Sequence, residues 1–187
     1  MKILPVTLSD AEELLSIYSP YVLDTAVTFE YKVPSTEEFC ERIKNISAKF
    51  PYIKALDDDN KIKGYAYAGT FKGRSAYDWC VESTVYVKKD ERKKGLGRLL
   101  YSSLEKSLAE MGILNMNACI TVPITDDDPY GTKDSMLFHE KMGFSLAGRF
   151  HKCVYKFNRW YDMIWMEKFI ASHKGEIKPV RFGQWKV

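Results

Sequence analysis

The stretch VYVKKDERKKGLGRLLY, Val85 to Tyr101, constrains this chain more than any other. An apolar, β-branched run breaks into a basic turn holding Gly95 and Gly97, then resumes as a leucine-bearing helix. Five Lys/Arg residues lie between Lys88 and Lys94. A helix N-terminus presents unsatisfied N–H groups and a partial positive charge, so a strand-to-helix turn of this composition is a potential anion site. The spacing Arg92-x-x-Gly95-x-Gly97 lacks the GxGxxG and downstream acid of a dinucleotide fold. No GxxxxGK[ST] phosphate loop occurs either.

The flanking pattern supplies the elements around that turn. Lys2–Leu8 reads as a first strand, and Ser9 with Glu12 forms a capping-box pattern ahead of a helix carrying Leu14, Leu15 and Tyr18. Thr28–Pro34 reads as extended. Ser35 and Glu38 repeat the capping pattern before an apolar face of Phe39, Ile43 and Ile46. PYIKAL, the turn DDDNK and IKGYAYAGTF predict a β-hairpin, and AYDWCVESTVYVK a long aromatic strand. The helix from Gly97 is expected to bury Leu99, Leu100, Leu104 and Leu108 and to end near Gly112. A strand at MNACITV, a polar loop PITDDDPYGTKD, a short helix Ser135–Met142 and two strands within SLAGRFHKCVYKF and YDMIWMEKFI complete the domain. The predicted class is α/β (α+β): a single, mixed, mostly antiparallel sheet with helices on both faces, spanning residues 1–170, followed by a basic, irregular tail over 171–187.

Bulk properties narrow the function classes. The 187 residues suit one domain with a sizeable core, and the net charge of +3 does not demand a nucleic-acid partner. Cys40, Cys80, Cys119 and Cys153 are widely spaced with no CxxC pair, which points to reduced thiols in a cytoplasmic protein rather than a disulfide framework or a zinc site. The start, MKILPVTLSDAEELL, has no long apolar run, so neither a signal peptide nor a membrane partner is expected.

The turn resembles motif A of the GCN5-related N-acetyltransferase (GNAT) superfamily, R/Q-x-x-G-x-G/A. RSAYDWCVESTVYV (Arg74–Val87) resembles the corresponding segment of the phosphinothricin acetyltransferase branch. TFE at Thr28–Glu30, SMLFHEKMGF at Ser135–Phe144 and RWYDMIWME at Arg159–Glu167 fall in that family's order. The resemblance implies a GNAT fold, acetyl-CoA as co-substrate, no metal, a small-molecule amine as acceptor and a homodimer. It implies that Arg92, Lys93, Lys94, Gly95, Leu96, Gly97 and Arg98 cradle the pyrophosphate. Val85, Tyr86 and Val87 would pair with the pantetheine arm, with a backbone N–H at the thioester oxygen. Glycine lets a diphosphate approach the backbone, and the helix dipole and cations offset its charge.

Transfer to an amine requires that the ammonium lose a proton, that the thioester oxygen be stabilised and that the thiolate leave. The resemblance implies Glu82 as general base, acting directly or through water, and the apolar neighbours Trp79, Val81 and Val85 would raise its pKa. His139 stands where many superfamily members carry a Tyr near the departing sulfur and the phosphinothricin branch a His, which implies a catalytic, sulfur-proximal role, the alternative being a structural or exposed histidine. Ser135 either caps its helix or contacts the coenzyme. Phe29, Lys72, Arg74, Tyr77 and Thr84 match acceptor-side positions; an Arg fork with a Lys suits a carboxylate or phosphinate. Thr132 replaces the Asn often found three residues before the helix serine. Asp126–Asp128 form either a solvated turn or an attractor for a cationic amine. The rival to an enzyme is a non-catalytic module on the same fold, either sensing acetyl-CoA or binding RNA. RNA binding would weaken steeply with salt and ignore coenzyme.

Overall fold

The structure is a computed structural model describing residues 1–187. Seven strands and four α-helices are present: β1 (Lys2–Pro5), α1 (Ala11–Asp24), α2 (Thr36–Ser47), β2 (Tyr52–Leu56), β3 (Ile62–Thr70), β4 (Cys80–Val87), α3 (Leu96–Met111), β5 (Asn115–Pro123), α4 (Asp134–Lys141), β6 (Ser145–Lys156) and β7 (Arg159–Phe169). The hydrogen-bonded strand order is β1-β2-β3-β4-β5-β7-β6. The chain divides into two compact units.

The first unit comprises Met1–Ile17, Pro34–Met116 and Phe169–Val187. Its strands β1 to β4 form an antiparallel meander, and β3 pairs with β4 without a slip from Gly64↔Val87 to Thr70↔Val81. That regular register puts Glu82, Thr84 and Tyr86 on one face of β4 and Val81, Ser83 and Val85 on the other. Strand β4 starts at Cys80, later than the predicted Ala76. A 3-10 turn over Ser75–Tyr77 consumes the preceding residues, with Tyr77 N–H donating to Arg74 O and Asp78 N–H to Ser75 O.

Helix α2 starts at the expected cap, where Ser35 Oγ accepts from Glu38 N–H at 3.1 Å. The expected box at Ser9 and Glu12 sits two residues earlier. Thr7 N–H donates to Asp10 Oδ2 at 2.7 Å, and Lys54 Nζ on β2 holds the same carboxylate at 2.5 Å. That partner on the adjacent strand, invisible in a local pattern, selects Asp10, and β1 ends at Pro5, short of the expected Leu8.

Helix α3 buries Leu96, Leu100, Leu104 and Leu108 at four-residue spacing. Leu99 is 41% exposed, which corrects its expected place in the core. Tyr101 extends the buried stripe on the flank away from Leu99, and Ser107 and Met111 fall within the stripe. Gly112, at φ +95°, ends the helix in the left-handed region as the sequence suggested. The segment after Phe169 has no regular secondary structure yet is tied to this unit. Arg181 N–H donates to Met111 O, Gly183 N–H to Lys49 O, and Phe182 packs edge-on against Phe50 at 5.5 Å.

The second unit comprises Tyr18–Val33 and Asn117–Lys168. Strands β6 and β7 pair antiparallel around a two-residue loop, Phe157 and Asn158, both with positive φ (52° and 56°) as a primed hairpin turn requires. Phenylalanine is an unusual occupant of that position. Its ring stacks on Tyr130 at 4.1 Å and lies under Lys156 Nζ at 5.0 Å, contacts that offset the backbone strain.

Candidate active site

Within the first unit, three features adjoin β4. At its centre, Glu82 is half-buried, and burial raises its pKa above the ordinary carboxylate value while the charge of Lys72 opposes that rise. Its direct partner across the ladder is Gly69, which has no side chain to cover it. Behind the strand, the buried Tyr101 hydroxyl meets Ser83 Oγ at 3.2 Å; desolvation, reinforced by the charge of Glu82, drives the phenol pKa well up, so Tyr101 stays protonated.

Ahead of β4 in the chain, the β3–β4 loop carries Lys72, Arg74 and Tyr77, all exposed. Lys72 Nζ lies 5.2 Å from the Phe71 ring, and Phe71 packs edge-on against Tyr77 at 6.1 Å. The predicted cations and aromatic therefore occupy one short loop whose Lys72 reaches Glu82 electrostatically.

Beyond β4, the chain enters α3 through Lys88–Gly95. Gly95 is left-handed at φ +85°, and a Cβ built there meets nothing within 4 Å. The N-terminus of α3 has no side-chain cap and no acidic residue in its first turn. Helix α2 differs on both counts, with Ser35 as cap and Glu37 and Glu38 in its first turn. Around the uncapped end, Arg92, Lys93, Lys94 and Arg98 are exposed, and Lys94 pairs with Glu91 at 3.1 Å. Uncompensated amide donors, open space over a glycine and several cations fit a diphosphate. Gly97, in contrast, lies inside the helix and outside the positive-φ set, so only its missing Cβ distinguishes it. Val85, Tyr86 and Val87 are partly buried and pair with Ala66, Tyr65 and Gly64. Backbone groups of an antiparallel strand alternate in direction, so β3 takes only every other set of those along β4.

The second unit holds the remaining predicted residues. Phe29 is 42% exposed on a loop held from beneath: Lys156 Nζ donates to Thr25 O (2.8 Å) and Thr28 O (2.9 Å), and the Tyr18 hydroxyl joins Thr28 Oγ1 and Glu30 Oε2. Lys156 is 3% exposed. Sequence reasoning passed over it, although a lysine within the apolar run CVYKF was a signal that it had a buried partner.

His139 is 4% exposed, its ring packed edge-on against Phe138 and Phe144. Ser135 O accepts from Nδ1 at 2.7 Å, which fixes the Nδ1–H tautomer, and burial pushes the pKa down to about 4. At neutral pH such an imidazole carries no proton on Nε2 to give away. Ser135 is partly buried, and Thr132 Oγ1 accepts from Asp134 N–H at 3.2 Å, organising the first turn of α4 in its own way.

The acidic loop is largely neutralised. Asp126 pairs with Lys133 at 2.5 Å, and Asp128 accepts from Tyr130 N–H and the Tyr161 hydroxyl and faces Arg159 at 3.6 Å. No group of His, Cys, Asp and Glu side chains is arranged to hold a metal ion.

Comparison with known proteins agrees with this geometry. The model of the acetyltransferase (GNAT) domain matches residues 3–165. A phosphinothricin N-acetyltransferase of Streptomyces viridochromogenes is 32% identical over 182 residues, covering 96% of this chain and 94% of that protein. An L-methionine sulfoximine/L-methionine sulfone acetyltransferase of Pseudomonas aeruginosa is 32% identical over 119 residues, 63% of this chain and 64% of that protein. Among solved structures, a phosphinothricin acetyltransferase from Sinorhizobium meliloti in complex with acetyl-CoA superposes with a TM-score of 0.83 at 28% identity, covering 98% of each chain. With a family model spanning nearly the whole strand and helix framework, and with relatives matching along its full length, this chain belongs to the GNAT acetyltransferase family.

Proposed function

We propose that this chain is an acetyl-CoA-dependent N-acetyltransferase whose acceptor is a small, amino-acid-like amine of the phosphinothricin, methionine sulfone or methionine sulfoximine type. The observation that carries the reading is the half-buried Glu82, its pKa raised by burial and felt by Lys72, on the strand that leads into the uncapped, basic N-terminus of α3. The names of the relatives support the acceptor class.

When bound, acetyl-CoA supplies the activated acetyl thioester. The first-turn N–H groups of α3 with Arg92, Lys93, Lys94 and Arg98 would hold its diphosphate, and Val85–Val87 the pantetheine arm. Glu82 takes the proton from the acceptor ammonium, directly or through water. A raised pKa suits that task, since the base then both exists near neutral pH and binds the proton firmly. Lys72 and Arg74 orient the acceptor by its anionic group, with Tyr77 and Thr84 lining the acceptor side. Transfer is read as direct, from the thioester to the acceptor amine within one ternary complex, with no acyl-enzyme intermediate. His139 and Ser135 position α4 through their mutual hydrogen bond; Ser135 retains a coenzyme contact as a secondary role.

Four free cysteines suit a reducing, cytoplasmic setting. Strand β6 exposes Leu146 (61%) and Phe150 (55%), which favours burial of that strand in a homodimer. The decisive experiment is a thiol-release screen with acetyl-CoA against amino acids and their phosphinate, sulfone and sulfoximine analogues. Coenzyme binding without thiol release from any of them would instead support a sensor.

A further inference from the structure

Gly69 is a glycine without a structural reason. The other interior glycine of β3, Gly64, is accounted for by packing: a Cβ there would lie 2.8 Å from Tyr86 O and 3.2 Å from a Leu100 methyl carbon. At Gly69 a Cβ meets nothing within 4 Å, and the backbone lies outside the positive-φ region. Neither crowding nor conformation therefore demands glycine. A glycine in a strand interior weakens the strand relative to alanine, and commonly marks a place where a ligand approaches the backbone.

The position has a specific neighbour. Gly69 is paired directly with Glu82 in an unslipped ladder, flanked on the same face by Tyr67 opposite Thr84. Side chains at directly opposed positions start about 4.5–5.5 Å apart. Any side chain at residue 69 would thus stand beside the Glu82 carboxylate.

We propose that Gly69 determines acceptor specificity: the side chain missing opposite Glu82 leaves the space in which the carbon skeleton of an amino-acid acceptor lies while its amine faces the carboxylate. The inference rests on the reading of Glu82 as the group that meets the acceptor amine. It makes the size of residue 69 a gauge for acceptor bulk, independent of coenzyme binding at α3.

The test compares Gly69→Ala, Gly69→Val and Gly69→Leu with the natural protein, using methionine sulfone as acceptor. Unliganded melting temperature should hold or rise, and acetyl-CoA affinity should stay within about twofold, since no coenzyme group is assigned to β3. The value of kcat/KM for methionine sulfone should fall with each added carbon, by about tenfold or more at leucine and mainly through KM. Calorimetric titration of methionine sulfone in the presence of coenzyme A gives a second readout that does not need turnover. Undiminished turnover or binding in a folded Gly69→Leu protein overturns this inference alone, and so does a parallel loss of acetyl-CoA affinity in all three variants. If the natural protein neither acetylates nor binds methionine sulfone or any other amino-acid analogue, the acceptor reading and the inference fall together.

Discussion

Alanine at Gly95 and at Gly97 should move stability in opposite directions while weakening the same ligand. Gly95 sits at φ +85° with open space over its Cα, so Gly95→Ala meets no protein atom but forces an L residue into the left-handed region. That costs about 1–2 kcal/mol, or about 2–8 °C in melting temperature for a chain of this size. Gly97 is already helical, so Gly97→Ala removes a glycine penalty of about 0.5–1 kcal/mol and should raise the melting temperature by about 1–4 °C. If the diphosphate lies against the first turn of α3, each methyl group pushes it off at least one charge-assisted hydrogen bond. Such bonds contribute about 1.5–3 kcal/mol, which corresponds to a loss of about 10- to 150-fold in acetyl-CoA affinity. Thermal melting without ligand and calorimetric titration with acetyl-CoA measure the two quantities separately. A Gly97→Ala protein that melts higher and binds acetyl-CoA with unchanged affinity would refute the placement of the diphosphate.

Glu82→Gln should lower kcat by about 10²–10⁴ with acetyl-CoA affinity preserved, read by steady-state kinetics and titration. Because the folded pKa of Glu82 is raised by burial, the native state holds its proton longer than the unfolded chain, and stability falls as pH rises from the unfolded value of 4.5 through the folded one. The glutamine variant should therefore melt higher than the natural protein at neutral pH and lose that advantage below pH 4.5. His139 carries the opposite sign: with a folded pKa of about 4 against 6.5, it favours the native state above pH 6.5 and withdraws roughly 2–4 kcal/mol as pH falls through that window. A His139→Gln protein should lose this acid sensitivity in denaturant titrations at pH 7 and pH 4.5 and retain most of its kcat; a fall of a hundredfold would restore His139 to proton transfer. Arg74→Ala should raise KM for a zwitterionic acceptor about tenfold with KM for acetyl-CoA unchanged, and equal KM values would exclude the anion clamp.

Much of this site was legible because its signals are local. The strand–turn–helix around Gly95 and the Ser35 cap each depend on a few adjacent residues, and both stand where the sequence put them. What the sequence concealed depends on partners far along the chain. Asp10 displaces Glu12 as the capping acid because Lys54, 44 positions on, selects it. Leu99 turns outward because the buried stripe of α3 is centred on Leu100 and Leu104 and widens toward Tyr101, on the flank away from it. Lys156 takes two backbone carbonyls of the loop before Phe29 across more than a hundred residues, and no periodicity encodes that. The tail read as irregular, and it has no helix or strand, yet Trp79 at the start of the β4 segment donates its indole N–H to Lys178 O at 2.8 Å.

The charge balance bears on the two acceptor classes the sequence left open, and it favours the proposed one. A cationic acceptor would need negative charge free to meet it, and the run Asp126–Asp128 is the source that the sequence singled out. Asp126 is committed to Lys133, and Asp128 is enclosed by Tyr130, Tyr161 and Arg159, so both carboxylates already have their partners. Asp126 and Asp127 are both exposed, and solvated carboxylates, one of them already ion-paired, contribute little. Arg74 is under no such commitment: its side chain is exposed and enters no ion pair, and Lys72 reaches toward the Glu82 carboxylate from the same loop. In the proposed mechanism the exposed Arg74 guanidinium holds a zwitterion by its anion while Glu82 deprotonates it at its amine. Polyamines offer nothing to the first group and repel both loop cations, so they should be poor acceptors in the same thiol-release screen that finds the amino-acid analogues. Spermidine turning over faster than every amino-acid analogue, with Arg74→Ala indifferent, would mean that the acceptor approaches from the acidic loop after all.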